Sequence, residues 1–150
     1  MHYFEAASAR DMELFLQQLA PELDAAGART LLDLYTDEPM DAPRAQDALQ
    51  AMSAIAEQAS SSTRRRGSSR SRDPLMGVEV DLHDPVQAGH FALLAHRVIN
   101  AEAWCGEGRQ VFGTVESPTR VWVELPREVV EKLLDDGRRA GASLTVRPAG

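Results

Sequence analysis

Cysteine, lysine and long apolar runs are scarce in this sequence, and the first and last of these scarcities each exclude a class of protein. One cysteine in 150 residues, Cys105, cannot form an internal disulfide, and a lone thiol fits a reducing compartment. No stretch approaches the ~20 apolar residues that cross a bilayer, and the first residues lack the basic start and apolar run of an export signal. Lys132 is the one lysine among sixteen basic residues, a bias typical of GC-rich bacterial coding. We therefore expect a cytoplasmic protein that is not attached to a membrane.

Motifs for nucleotides, metals and covalent catalysis are also missing. Gly106-Glu107-Gly108 follows a predicted helix instead of opening one, and Glu107 would repel a phosphate. Histidine and cysteine do gather in one stretch, at His83, His90, His96 and Cys105. His90 and His96 are six residues apart, which rotates them by ~120° on a helix, so we interpret them as helix-surface residues instead of zinc ligands. The sequence predicts no catalytic residue, no metal and no cofactor, and it favours a protein that is not an enzyme.

The net charge of −7 is distributed unevenly along the chain. Residues 1–59 and 73–150 are both acidic, whereas residues 60–72 contain five arginines, no acid and no apolar side chain. Such a segment cannot offset the entropy of becoming ordered, which predicts a flexible Arg/Ser-rich linker over residues 60–74. The linker divides a mainly helical region, residues 1–59, from a C-terminal domain, residues 75–150.

The arginines of the linker form a basic arm that suits RNA, DNA or an acidic protein surface. They are Arg64, Arg65, Arg66, Arg70 and Arg72. A solvated linker that rests on the acidic helices of its own chain is the competing interpretation.

Helical signals dominate the N-terminal region. Ser8, with Asp11 three residues later, is typical of a helix start, and Pro21 predicts a kink or a break in that helix. Residues 29–36 are too short for their pattern to separate helix from strand, and we favour helix. Apolar residues at spacings of three and four predict a further helix over residues 43–60.

The order of elements in the C-terminal domain is more informative. The patterns predict, in order, a strand at 78–82, a helix at 84–106, a hairpin of strands 111–115 and 121–125, a helix from 126 to about 137, and a strand at 144–146. This is the split βαβ order of ferredoxin-like domains, in which two helices cover one face of a four-stranded antiparallel sheet. We therefore expect an α+β protein, with a helical region followed by a ferredoxin-like βαββαβ half.

The uncovered face of that sheet is the main candidate site. Strict alternation directs Phe112 and Trp122 together to the face away from the two helices. The polar residues expected around the rings are Arg120, Glu124, Glu79 and Asp81. These acids argue against base stacking on RNA, because phosphate binding depends on basic side chains. Two interpretations are open: the N-terminal helices cover this face as a second core layer, or the face binds a protein or a second copy of the chain.

The leading hypothesis is a non-catalytic interaction or regulatory protein that binds another protein through the open sheet face and the acidic helices. A first alternative is association with nucleic acid through the basic arm. A second alternative is a small enzyme or ligand-binding domain with a site between the two halves of the chain. None of the three involves a membrane.

Overall fold

The computed structural model of the chain describes residues 1–36, 38–65 and 73–149, and in the second range it describes side chains as far as Ser60. Within these ranges the chain forms seven strands and four α-helices. In chain order they are β1 (His2–Ala6), α1 (Ala9–Ala25), β2 (Arg29–Asp33), α2 (Pro43–Arg65), β3 (Val78–Val80), α3 (Pro85–Leu94), β4 (Asn100–Cys105), β5 (Arg109–Thr114), β6 (Arg120–Val123), α4 (Arg127–Arg139) and β7 (Leu144–Pro148). In the described part of the chain, no helix combines the length and the apolar character that crossing a membrane requires.

All seven strands belong to one antiparallel sheet, in the order β3-β2-β4-β5-β6-β1-β7. The expected α+β class is confirmed, whereas the ferredoxin-like four-stranded sheet was wrong. β1 lies between β6 and β7, and β2 lies between β3 and β4. Strands from both sides of the predicted linker therefore build the same sheet, and the N-terminal region contributes two of them.

One of the extra strands, β4, was predicted as the second half of a helix. The helix α3 ends at Leu94, ten residues or more before the predicted end, and the chain returns as β4. Ala101 and Ala103 of this strand are fully buried, while Glu102 and Trp104 between and after them are half-buried. Alternation of this kind is typical of a strand with one covered face. The helical interpretation followed the larger apolar residues and missed the alanines, which have low strand propensity.

The helical interpretation of residues 29–36 was also wrong. Residues Arg29–Asp33 form β2, in which buried Thr30 and Leu32 alternate with more exposed neighbours. Hydrogen-bonded strands flank β2 on both sides, β3 on one and β4 on the other. Pairing with strands far along the chain decides the conformation here, and a short local pattern does not contain that information.

Several helix boundaries agree with the local signals. The Ser8 hydroxyl accepts the Asp11 amide at 3.1 Å and caps α1. Asp84 caps α3 by accepting the Val86 amide at 2.9 Å, with Pro85 in the first turn. Of the kink or break expected at Pro21, the break is absent, because α1 continues through Pro21 to Ala25.

The predicted linker segment overlaps the end of α2. The helix predicted for residues 43–60 is present, and α2 continues to Arg65, so the first residues of the segment 60–74 have a helical backbone. Residues 66–72 lie outside the described part of the chain. The description resumes at Asp73, whose carboxylate accepts the Leu75 amide at 2.9 Å.

The four helices lie on one face of the sheet and enclose the core. Phe15 of α1 stacks on Phe4 of β1 with ring centroids 4.4 Å apart. Phe91 of α3 meets Phe112 of β5 edge to face at 5.7 Å. α4 packs on α1 and β7, and α2 packs on α3. Each large apolar side chain buried here contributes about 1.5–3 kcal/mol to folding, and the other face of the sheet has none of these helices over it.

Candidate functional site

A β-bulge in β5 decides which aromatic side chains reach the uncovered face. Ala103 of β4 pairs with Phe112, but the next residue, Trp104, pairs with Gln110, so Val111 is an extra residue without a partner in β4. Two successive residues of a bulge oppose one residue of the neighbouring strand, which interrupts the strict alternation. Val111 and Phe112 are accordingly both fully buried.

Phe112 therefore does not belong to a surface site. Its ring packs on Phe91 beneath α3, on the helix-covered side. In the hairpin of β5 and β6, Phe112 lies opposite Val123, and Gly113 lies opposite Trp122. The prediction that Phe112 and Trp122 share one face was wrong, because Phe112 lies opposite the buried Val123, and the bulge places Val111 on the same side as Phe112 where strict alternation would separate them.

The face away from the helices presents a row of opposed residues that crosses all seven strands. Directly opposed residues share a face of the sheet. From β3 to β7 the row contains Glu79, Leu31, Glu102, Gly113, Trp122, Tyr3 and Arg147. Trp104 adds a second tryptophan in the adjacent row, opposite Arg29 and Gln110. We call this surface the open face.

Trp122 lies flat across the neighbouring strand. A Cβ atom built on Gly113 would be 2.4 Å from Trp122 Nε1 and 2.6 Å from Cε2. Only glycine leaves space for the ring at this position, since real Cβ atoms do not approach other heavy atoms so closely. The indole thus covers the backbone of β5 and spans the distance from β6 towards β4.

The sequence interpretation missed four residues of this surface, Tyr3, Leu31, Glu102 and Trp104, of which Trp104 is the largest. It was assigned to the predicted helix at 84–106, whereas it belongs to β4 and points to the same side as Glu102. The signal that indicates it is the run Ala101-Glu102-Ala103-Trp104, in which small apolar residues alternate with a charged and an aromatic one.

Most charged side chains of the open face have partners within it. Arg120 Nε contacts Glu5 Oε2 at 2.7 Å, and Arg29 Nε contacts Glu79 Oε2 at 3.2 Å. The Arg147 guanidinium lies over the Tyr3 ring, 5.5 Å from its centre. The hydrogen bond from Arg120, together with its charge, lowers the pKa of Glu5 below the ordinary value. These pairs surround the aromatic residues with charges that are already compensated.

The remaining residues predicted for the site lie at its border or outside it. Glu124 follows β6, is exposed, and has Oε2 at 2.6 Å from the Met1 ammonium group. Asp81 lies in the turn after β3, where its carboxylate accepts the His83 amide at 3.0 Å. The structure therefore places Trp122, Arg120 and Glu79 on the open face, Glu124 at its end, and Asp81 in a turn next to α3.

The basic arm is described only in part. Arg64 and Arg65 are the last residues of α2, and their side chains lie outside the description. Arg66, Arg70 and Arg72 lie outside the described residues altogether. Binding of nucleic acid by the arm stays a prediction.

The histidine and cysteine residues are dispersed. His96, predicted on a helix surface, is only 5% exposed, and burial together with the nearby Arg97 lowers its pKa to about 4. His83 Nδ1 lies 3.2 Å from Asp24 Oδ2, and this hydrogen bond raises the pKa of His83. Cys105 ends β4, with Sγ 3.6 Å from the Ala26 carbonyl oxygen. Among the residues that the structure describes, no three His, Cys, Asp or Glu side chains are arranged to hold a metal ion.

Two depressions lie beside these residues. One, of about 540 Å³, lies between α1 and α3, is lined largely by alanine and proline, and has His83 and Asp24 at its border. The other, of about 530 Å³, includes His96, Arg97 and Asp41 among its lining residues.

Comparison of the chain with protein-family models, with curated proteins and with solved structures finds no match. The fold and the surface therefore define the class of protein on their own. It is an α+β protein whose antiparallel sheet has helices on one side and aromatic side chains on the other.

Proposed function

We propose that the protein is a non-catalytic binding module that docks another protein on the open face. The observation that carries this proposal is the row formed by Tyr3, Trp122 and Leu31, with Trp104 beside it, on a sheet face away from all four helices. All four side chains are half-buried and keep part of their surface in contact with solvent.

Aromatic residues in this setting favour a protein partner. Tyrosine and tryptophan are enriched in the cores of protein interfaces, where they supply most of the binding energy, and paired charges are typical of the surrounding rim. The open face has this arrangement, with Glu5–Arg120 and Arg29–Glu79 on either side of the aromatic residues. A flat surface of strands also suits a protein better than a small ligand, which needs a concave site.

The overall charge supports a basic partner. The chain carries a net charge of −7, which attracts a basic protein over several ångströms and speeds its approach. Association should therefore slow when the salt concentration rises, because the screening length falls to ~8 Å at physiological ionic strength.

The test is quantitative capture of partners from cells that produce the protein, with the purified chain as bait. Trp122→Ala and Trp104→Ala remove aromatic surface from the open face, and Val86→Ala removes a 65%-exposed valine from α3 on the opposite side. We expect a protein that binds the wild type and the Val86 variant equally and the tryptophan variants at least ~10-fold more weakly. Circular dichroism melting checks that each variant is folded.

Equal recovery by all four baits would contradict the proposal, as would the absence of any protein that the wild type retains. A dimer that dissociates in the Trp122 variant would identify a second copy of the chain as the partner.

A further inference from the structure

Glu102 differs from the other charged residues of the open face. It lies in β4 near the middle of the sheet, opposite Leu31 on one side and Gly113 on the other. The side chain is half-buried, and its carboxylate makes no hydrogen bond or ion pair with any residue that the structure describes. Neighbouring carboxylates, by contrast, have arginine partners. Glu102 therefore presents free acceptor positions to whatever covers this face.

Apolar and aromatic side chains surround this carboxylate. The Trp122 indole covers Gly113, the residue next to Glu102 on β5. Trp104 is two residues further along β4 and projects from the same face. Leu31 occupies the position across from Glu102 on β2. The carboxylate thus has two indoles and an aliphatic side chain as its neighbours on the open face.

This combination suits a cation. A carboxylate that is partly removed from water forms its strongest hydrogen bonds with a charged donor, and a cation beside an indole face gains a further ~0.5–2 kcal/mol. Arginine fits better than lysine, because its planar guanidinium can bind a carboxylate with two hydrogen bonds while it stacks on an aromatic ring. The open face already holds one such contact, Arg147 over Tyr3, in the same row.

We infer that Glu102, Trp104 and Trp122 form a subsite for an arginine side chain of the partner protein. The inference rests on the proposed function and adds to it the chemistry that the partner must offer. Glu5 and Glu79 are already paired with arginines of this chain, so Glu102 is the position where an incoming cation finds an unpaired carboxylate.

Intrinsic fluorescence provides a specific test, because the chain has two tryptophans and both lie on the open face. The probes are four capped tripeptides of the form Gly-X-Gly, in which X is arginine, citrulline, lysine or norleucine. Citrulline has the shape of arginine without its charge. We expect the arginine peptide to change tryptophan emission and the two indole N–H signals in ¹H–¹⁵N spectra. The arginine peptide should bind at least fivefold more tightly than the citrulline peptide, and the lysine peptide should have an affinity between the two.

Glu102→Gln should reduce arginine binding to the citrulline level, whereas the matched variant Glu128→Gln, at an exposed position of α4 on the other side of the sheet, should leave it unchanged. Equal binding of the arginine and citrulline peptides by the wild type would overturn the inference, and so would an undiminished arginine preference in Glu102→Gln. Each of these results leaves the proposed function intact if the captured protein still needs Trp122. Failure of the proposed function has a different signature, since the capture experiment then shows no dependence on either tryptophan.

Discussion

Phe112 packs edge to face on Phe91 with ring centroids 5.7 Å apart, on the side of the sheet that the helices cover. The contact joins the middle of the sheet to α3 and explains why Phe112 has no exposed surface. Trp122 on the adjacent strand faces the other way. Two aromatic residues of one hairpin thus lie on opposite sides of the sheet, Phe112 in the core and Trp122 on the open face.

Replacing Phe112 should therefore affect stability and leave the open face intact. We expect Phe112→Ala to lower the free energy of unfolding by about 3–5 kcal/mol, the usual cost of removing a buried phenylalanine. Urea denaturation followed by circular dichroism measures this change. A cost below ~1 kcal/mol would show that the ring is not buried against α3.

Gly113 should be required for the position of the Trp122 ring. The φ angle of Gly113 is not positive, so the backbone would accept an alanine. The conflict is steric, because the alanine Cβ atom would lie 2.4 Å from Trp122 Nε1. Gly113→Ala should displace the indole, shift tryptophan emission to longer wavelength and weaken arginine-peptide binding. An unchanged emission spectrum and unchanged peptide binding would be inconsistent with an indole that lies on Gly113.

Two helical glycines should respond to alanine in opposite directions. A Cβ atom on Gly137 of α4 would lie 2.5 Å from Leu144 Cδ1, whereas the same atom on Gly89 of α3 would meet nothing within 4 Å. Gly137→Ala should cost about 1–3 kcal/mol through overpacking, less the gain in helix propensity. Gly89→Ala should stabilise by up to ~1 kcal/mol, because alanine favours the helix.

Thermal and urea denaturation of the two variants measure this difference. The pair shares the same substitution in a helix, so propensity alone predicts equal effects. Stabilisation by both would contradict the close packing of α4 on β7.

His96 should make stability depend on pH in the mildly acidic range. Burial lowers its pKa from 6.5 to about 4, so the folded protein keeps His96 neutral while the unfolded chain takes up a proton below pH 6.5. The contribution of the neutral His96 to the free energy of unfolding is complete above pH 6.5. It is lost as the pH falls towards 4, by at most ~1.4 kcal/mol per pH unit. His96→Gln should flatten the pH dependence of the free energy of unfolding between pH 6.5 and 5.

Urea denaturation of the wild type and the His96 variant at a series of pH values measures both slopes. Identical slopes for the wild type and the His96 variant would contradict a buried neutral imidazole.

Local signals in the sequence were sufficient for the α+β class and for several helix boundaries. The caps at Ser8 and Asp84 depend on contacts within three residues, which a sequence pattern contains. The direction of Val121 and Val123 into the core, and therefore of Trp122 away from it, also follows from simple alternation.

Other features depend on pairing between distant parts of the chain. β1 lies between β6 and β7 although more than 100 residues separate Glu5 from its partner Arg120. The bulge at Val111 exists because β4 and β5 pair in two registers, a fact that neither strand shows alone. Both features changed the candidate site, since the pairing of β1 with β6 brought Tyr3 to the open face and the pairing of β4 with β5 brought Glu102 and Trp104 there.

The central claim is that the open face contacts a protein partner, and site-specific photo-crosslinking in the producing cells tests it most directly. A photoreactive phenylalanine derivative replaces Leu31 or Tyr3 on the open face. As controls, it replaces Val86 or Ile99, which are 65% and 75% exposed and lie away from the open face. The account predicts a discrete crosslinked protein from Leu31 and Tyr3 and none from Val86 and Ile99. Crosslinks from Val86 or Ile99 alone, or none from the open face, would contradict it.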